Sequence, residues 1–222
     1  MKNIRVKIMP DTMKKPRKKA KGYDLDDRAE NKSRRRNLAQ DDLWIKDFIK
    51  RAPMGYFGTK WEDQPFVHPM TYWYDEDKHC LYMHGAMIGR RDANTKRHKE
   101  ICFCASEMGQ LLPSNRALNF SVQFRSVMAY GTVVEVTTEE EQKHAFYGLI
   151  EKYFNPMELN KDFSPIIEED IVRTRAYRID IKSWSGKVNW KEATDQNPDF
   201  PPLDQKWLQQ DSFPNSYGKM KP

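Results

Sequence analysis

Residues 66–106 and 126–136 decide the fold: they read FVHPMTYWYD at 66–75, HCLYMHGAMIGRRDANTKRHKE at 79–100, ICFCAS at 101–106 and SVMAYGTVVEV at 126–136. The first two runs are rich in aromatic and apolar residues and flank the polar turn Asp75–Lys78, which predicts a β-hairpin. The second run continues into Gly89, Arg90 and Arg91. Glycine lets the backbone approach a ligand closely, and guanidinium groups suit a phosphate. This pattern predicts a sheet that leads into a site for a flat, phosphorylated cofactor.

The rest of the chain predicts further strands with helices between them. A helix begins at Asp41-Asp42, since apolar residues at 44, 45, 48 and 49 share one face, and Pro53 ends it. Thr138 with the acidic residues after it predicts the start of a second helix, which runs to Phe154. The other predicted elements are strands at Gly55–Thr59, Glu100–Ser106, Ser121–Val136 and Arg173–Ile181, and a short helix at Ala93–His98.

Composition limits the class of protein. The 222 residues are 38% hydrophobic, enough for one good-sized core. No apolar run approaches the roughly 18 residues that span a bilayer, and the N-terminus lacks the apolar core of a secretory signal. Cys80, Cys102 and Cys104 lie in predicted strands without other soft ligands nearby, so we expect reduced thiols and no metal site. These features favour a cytoplasmic protein.

The net charge of +6 is concentrated in basic runs near the N-terminus, Lys14–Lys21 and Arg34–Arg36. Such runs can bind nucleic acid through its phosphates, but the sequence after them contains no nucleic-acid-binding motif, which favours a solvated arm. We therefore divide the chain into a basic arm at 1–35, a folded domain at 36–190 and a proline-rich tail at 191–222. Phe200, Trp207, Leu208 and Phe213 give that tail more apolar groups than an idle linker needs.

Motifs for nucleophilic catalysis, for a phosphate loop and for a zinc helix are absent from the sequence. Any chemistry would therefore come from a bound cofactor that the protein positions.

Taken together, these segments resemble the FMN-binding split-barrel superfamily, within the pyridoxamine 5′-phosphate oxidase-related proteins and nearest the nitroimidazole-resistance branch. The resemblance runs from about Arg36 to Lys187. It implies a mainly β (α+β) fold, an antiparallel split β-barrel of Greek-key type with flanking helices. The matching motifs, in chain order, are Pro65–Met70, Leu81–Ala86, Gly89–Arg91, Ser126-Val127 with Gly131, and Ser185–Lys187.

The same resemblance implies bound FMN and a homodimer with two FMN sites at its interface. It places the main chain of Val67, His68, Pro69 and Met70 along the isoalloxazine ring, and His84, with Gly85 and Ala86, beside the flavin. Gly89, Arg90 and Arg91 would bind the phosphate, although the last position is often lysine in the family. The remaining implied contacts are Ser126 at the flavin, Trp184 as a cover from the second subunit, and Lys187 near the phosphate.

Each of these residues also has a structural interpretation. Arg90 and Arg91 could be surface charges, His68 and His84 could brace strand ends, Ser126 could fill a strand, and Trp184 could pack the barrel end. We expect an FMN-dependent oxidoreductase, with His84 as the candidate catalytic residue, that passes electrons from a reduced nicotinamide or other donor to a small organic acceptor. The nearest branch suggests a nitroaromatic acceptor. The alternatives are a non-catalytic protein that stores or senses flavin or haem, and a nucleic-acid binder that uses the basic arm.

Overall fold

A computed structural model describes residues 33–208, which form eight strands and five α-helices. The basic run at 14–21 and the tail residue Phe213 lie outside the described residues. The elements in chain order are β1 (Ala39–Gln40), α1 (Asp42–Arg51), β2 (Gly55–Trp61), β3 (Gln64–Met70), β4 (Trp73–Asp75), β5 (Cys80–Ala86), α2 (Arg90–Arg97), β6 (Glu100–Leu112), β7 (Ser121–Val136), α3 (Glu139–Phe154), α4 (Glu168–Arg173), β8 (Thr174–Asn189) and α5 (Gln205–Leu208).

The strands form one antiparallel sheet in the order β3-β2-β6-β7-β8-β5-β4, with β1 paired to β8. Its two edge strands, β3 and β4, are joined by only Thr71 and Tyr72. The two ends of the sheet must therefore meet at this connection, so the sheet curls into a barrel. The edge strands β3 and β4 do not pair with each other, which leaves the barrel open on this side. This arrangement confirms the predicted mainly β, antiparallel split-barrel fold.

The predicted strand at 66–75 is in fact two strands, so the predicted hairpin around Asp75–Lys78 is present but its first strand is only β4. β3 pairs with β2, and only the short β4 pairs with β5. The break falls at Tyr72, whose side chain is fully buried and donates a hydrogen bond to the carbonyl of Ile49 (2.7 Å). The Tyr72 N–H donates to the Tyr153 hydroxyl (3.1 Å), so it is not available to a strand ladder.

The helix starts are confirmed by their caps. The Asp41 carboxylate accepts a hydrogen bond from the Trp44 N–H (2.9 Å), and the Thr138 hydroxyl accepts one from Glu141 (3.4 Å). Strands β6 and β8 extend further than predicted, and α4 and α5 were not predicted. Helix α2 begins at Arg90, three residues before its predicted start, so both arginines belong to its first turn.

Two apolar clusters hold the barrel together. The larger lies inside it, where Ile45, Phe48 and Ile49 of α1 cover Phe57 and Phe103. The smaller lies between β5, β8 and α3 and contains Cys80, Tyr82, Val136, Ala145 and Ala176.

The three cysteines are free thiols, and Cys80 is buried while Cys102 and Cys104 are half-buried. Within residues 33–208 no group of His, Cys, Asp and Glu side chains could hold a metal ion. No helix in that range is long and apolar enough to cross a membrane.

Candidate functional site

The N-terminus of α2 is open at the mouth of the barrel. Gly89 stands at the N-cap without a side-chain cap, and a Cβ added there would meet no atom within 4 Å. The first N–H groups of a helix have no partner inside the helix. The positive end of the helix dipole lies at the same end. This end of α2 can therefore accept an anion, as the sequence predicted for the phosphate.

Arg91 lies between the end of β3 and the end of β5. Its Nη1 is 3.3 Å from the His84 carbonyl oxygen and 3.1 Å from Met70 Sδ, and its guanidinium stacks 5.0 Å from the Tyr177 ring centre. Its Nε is buried and makes no hydrogen bond within the described part of the chain. A buried N–H without an acceptor is costly, so this donor suits an incoming anion such as a phosphate.

Gly85 makes room for that guanidinium. A Cβ at this position would lie 1.8 Å from Arg91 Nη2 and 2.3 Å from Nη1. A side chain at position 85 would displace the Arg91 guanidinium from its present place, so this glycine leaves room for it. Its neighbour Ala86 is exposed and ends β5 against Thr174.

Arg90 points in a different direction. Its guanidinium lies over the rings of Trp61 (5.3 Å) and Phe66 (5.4 Å), and Arg97 covers Trp61 as well (4.9 Å). Successive residues of an α-helix are about 100° apart around its axis. Arg90 and Arg91, which the sequence assigned jointly to one phosphate, therefore point in different directions. Arg91 is the one that lies between the ends of β3 and β5.

Asp92 fixes α2 to the barrel. Its carboxylate accepts a hydrogen bond from the Tyr177 hydroxyl (3.1 Å) and pairs with Lys96 (2.9 Å) and Arg175 (3.0 Å). Burial alone would raise the pKa of Asp92, but the hydrogen bonds from Lys96 and Tyr177, together with the Arg175 charge, hold this pKa below its ordinary value. Sequence reasoning missed this residue, although an acid at the third position of a helix is a common anchor for the first turn.

The imidazole of His84 and its main chain face different neighbours. The carbonyl accepts from Arg91, while the ring packs edge-on against Phe146 of α3 with centroids 6.0 Å apart. Desolvation first and the Arg91 charge second lower the pKa of His84 below 6.5. The ring is therefore a neutral hydrogen-bonding group at neutral pH.

His68 belongs to a polar chain that sequence reasoning did not find. Its Nε2 lies 2.8 Å from the Thr59 hydroxyl oxygen, which in turn accepts a hydrogen bond from the Asn94 amide (2.9 Å). Thr59 has the same strand parity as the buried Phe57, which was the available signal that this hydroxyl points inward and needs a partner.

The other predicted residues lie on the opposite side of the sheet. Val67 and Pro69 alternate with His68 and Met70, so their side chains face away from the barrel interior. Ser126 and Lys187 are register partners on β7 and β8. We call this surface the outer face; its described members include Tyr56, Val67, Pro69, Cys102, Cys104, Ser126, Met128 and Lys187.

Trp184 packs against residues of its own chain. Its Nε1 donates to the Asp42 carboxylate (2.8 Å), and its ring contacts His79 (4.5 Å) and Tyr74 (6.0 Å). One chain thus brings together His68, Met70, Gly85 and Arg91, together with the main chain of His84, and places Ser126, Trp184 and Lys187 elsewhere.

Comparisons with known proteins agree with this architecture. A family model described as pyridoxamine 5′-phosphate oxidase matches residues 41–188. No curated protein matches the sequence significantly.

Solved structures of other proteins share the fold. The flavocytochrome Anf3 of Azotobacter vinelandii has a TM-score of 0.68 at 24% identity, over 78% of this chain and 79% of its own. A FAD- and haem-binding protein of Mycobacterium smegmatis has a TM-score of 0.61 at 14% identity, over 68% and 73%. A protein described as a candidate 5-nitroimidazole antibiotic resistance protein of Bacteroides thetaiotaomicron has a TM-score of 0.58 at 23% identity, over 68% and 86%.

Proposed function

Because the chain belongs to the pyridoxamine 5′-phosphate oxidase family, we propose that it binds FMN and acts as a flavin-dependent oxidoreductase. The observation that carries this proposal is Arg91, whose buried Nε has no acceptor among residues 33–208 and lies beside the open N-terminus of α2. One phosphate group would satisfy both. The flavin- and haem-binding neighbours support a flavin site on this fold.

The residues of this chain would bind and orient the cofactor. Bound FMN would supply the electron transfer, from a reduced nicotinamide or similar donor to a small organic acceptor such as a nitroaromatic compound. Arg91 and the first turn of α2 would hold the phosphate. The main chain of Val67–Met70 would contact the polar edge of the ring, and Gly85 keeps the phosphate side of the site open to Arg91. His84 would bind ligand or cofactor.

We also propose that the site is completed in an isologous homodimer. Ser126 lies ten residues along β7 from Val136. Val136 of β7 and His84 of β5 are both register partners of Ala176 on β8. These ten residues extend roughly 30 Å, and in the other direction around the barrel β6 and β2 separate Ser126 from β3, where Arg91 contacts Met70. Ser126 and Lys187 also lie on the outer face, so one chain does not bring them to Arg91. A second subunit bound at the outer face would supply them, since Val67 and Pro69 already lie on that face.

The absorption spectrum of freshly purified protein, followed by FMN titration of the stripped protein, tests cofactor binding. Arg91→Ala should weaken FMN affinity roughly 10- to 150-fold, because a charge-assisted phosphate contact is worth about 1.5–3 kcal/mol. Arg90→Ala should have a smaller effect, since its guanidinium rests on Trp61 and Phe66. Arg51→Ala is the matched control, because Arg51 also lies over an aromatic ring, that of Phe48, but belongs to α1. Equal FMN affinity in the wild type and Arg91→Ala would show that the phosphate is bound elsewhere.

Oxidation of reduced nicotinamide in the presence of a nitroaromatic acceptor tests catalysis. Turnover that depends on bound FMN supports an oxidoreductase. Bound FMN without turnover, over a panel of donors and acceptors, would instead favour the flavin-binding protein without catalysis.

A further inference from the structure

A buried chain of hydrogen bonds joins α2 to the edge strand β3. Asn94 of α2 is 0% exposed, and its Nδ2 lies 2.9 Å from the Thr59 hydroxyl oxygen. That oxygen lies 2.8 Å from His68 Nε2. Thr59 is also buried, at 7% exposed, so this contact is protected from competing water.

The chemistry of the three groups sets the direction of these bonds. An amide nitrogen only donates, so the Thr59 oxygen accepts from Asn94. A hydroxyl has a single hydrogen, and His68 is the other partner of this hydroxyl among residues 33–208. A Thr59 hydrogen that pointed elsewhere would be buried without an acceptor among residues 33–208, so it points to His68 Nε2, which is unprotonated to accept it. A neutral imidazole with an unprotonated Nε2 has its proton on Nδ1.

The surroundings of His68 also keep its ring neutral. Burial first and the Arg91 charge second lower the pKa of His68 below 6.5. The Nδ1 atom makes no hydrogen bond to another group in the described part of the chain, so its N–H remains free for a ligand.

We propose that His68 presents an Nδ1–H donor to a hydrogen-bond acceptor on the polar edge of the bound flavin, and that Thr59 and Asn94 are positioning residues that fix this tautomer. The inference rests on the proposed function, because it takes the flavin to lie along β3. It deepens that function by assigning the side chain of His68, where the family resemblance implied only its main chain. An acceptor such as a ring carbonyl fits this donor, whereas a cationic ligand does not.

Nitrogen-15 NMR of the histidine rings in the full-length, flavin-free protein tests the tautomer directly. The His68 signals are assigned by their loss in His68→Gln. We expect a protonated Nδ1 and an unprotonated Nε2 in the wild type. Asn94→Asp should reverse this pattern, because a carboxylate only accepts, so Thr59 must donate to it and accept from His68 Nε2–H. Thr59→Ser, which keeps the hydroxyl, should retain the wild-type tautomer.

A second variant covers the case in which Asn94→Asp does not fold. Thr59→Val removes the hydroxyl with little change of shape, and a mixture of both tautomers is then expected. A wild-type protein with its proton on Nε2, or a folded Asn94→Asp or Thr59→Val variant with the wild-type pattern, would overturn the inference.

FMN titration separates the failure of this inference from failure of the proposed function. Asn94→Asp should lose roughly tenfold or more in FMN affinity, because it turns the free His68 nitrogen from a donor into an acceptor, while Thr59→Ser should bind FMN as the wild type does. A variant with the reversed tautomer but unchanged FMN affinity would overturn the inference and leave the function standing. A wild type that binds no FMN would overturn the function, and the assignment of the His68 donor to flavin with it, whatever the tautomer.

Discussion

At the scale of single residues, Gly85 and Arg91 form one unit. The strand end can accept this guanidinium only because position 85 lacks a Cβ. We predict that Gly85→Ala displaces Arg91 and weakens FMN binding about as much as Arg91→Ala does, with a small change in melting temperature because the far end of a flexible side chain can move. If Gly85→Ala acts by displacing Arg91, the double variant Gly85→Ala/Arg91→Ala should lose no more FMN affinity than Arg91→Ala alone. Additive losses in the double variant would contradict this shared cause.

His84 gives a second residue-scale prediction. Its lowered pKa leaves the ring neutral near pH 7, and it packs on Phe146, so we expect it to bind ligand or cofactor and not to donate a proton. His84→Ala should keep FMN and slow reoxidation of the reduced flavin by less than about tenfold. Loss of a general acid typically slows a reaction about 100-fold or more. Stopped-flow reoxidation, with a melting curve of the same variant, distinguishes the two roles.

The paired arginines show where prediction from the sequence ended. The Gly89-Arg90-Arg91 motif correctly located an open helix N-terminus beside the end of β5. The sequence could not show that α2 starts at Arg90, and this start separates the two side chains by about 100°. The chain of hydrogen bonds through Thr59 and Asn94 was also missed. It depends on the packing of α2 against β2, which the sequence of neither segment shows by itself.

At the scale of elements, α2 depends on Asp92 for its attachment to the barrel. Asp92→Asn leaves Lys96 without its charged partner and Arg175 paired with Glu135 alone, and we expect a loss of about 1.5–3 kcal/mol in the free energy of unfolding near pH 7. Asp47→Asn is the control, because its exposed pair with Arg51 should be worth less than about 1 kcal/mol.

The same variant should change how stability depends on pH. The pKa of Asp92 is lower in the folded protein than its ordinary value of 3.8, so its contribution is complete above that value. It is lost as the pH falls through the lower folded-state pKa, where the carboxylate becomes protonated. The difference in urea midpoint between wild type and Asp92→Asn should therefore be constant from about pH 7 to pH 5 and shrink below about pH 4. A difference that persists unchanged at about pH 2 would show that the charge of Asp92 is not the cause.

Elements whose sequence signals involve residues close together in the chain were predicted correctly, and those set by distant residues were not. The caps at Asp41 and Thr138 located α1 and α3 correctly, because capping involves residues only three apart. The break between β3 and β4 was missed, since it is set by hydrogen bonds that Tyr72 donates to the Ile49 carbonyl and to the Tyr153 hydroxyl, and both partners are distant in sequence.

At the scale of the whole molecule, the outer face is more apolar than a solvated sheet surface needs to be. Val67 is 65% exposed, Tyr56 40% and Met128 38%, and they lie on neighbouring strands with Cys102 and Cys104 between them. Contiguous exposed apolar groups of this kind mark interaction surfaces. They extend to Ser126 and Lys187, the two predicted cofactor contacts that one chain keeps away from Arg91.

The homodimer prediction follows from that surface. Light scattering at micromolar concentration should give a mass about twice the 26.4 kDa of one chain. Met128→Lys would place an unpaired charge in the interface, so it should shift the protein towards monomer and weaken FMN affinity in parallel. Leu118→Lys is the control, since Leu118 is 90% exposed and lies in the connection before β7. A wild type that is monomeric and still binds FMN, or a Met128→Lys monomer with undiminished FMN affinity, would show that one barrel holds the cofactor without a second subunit.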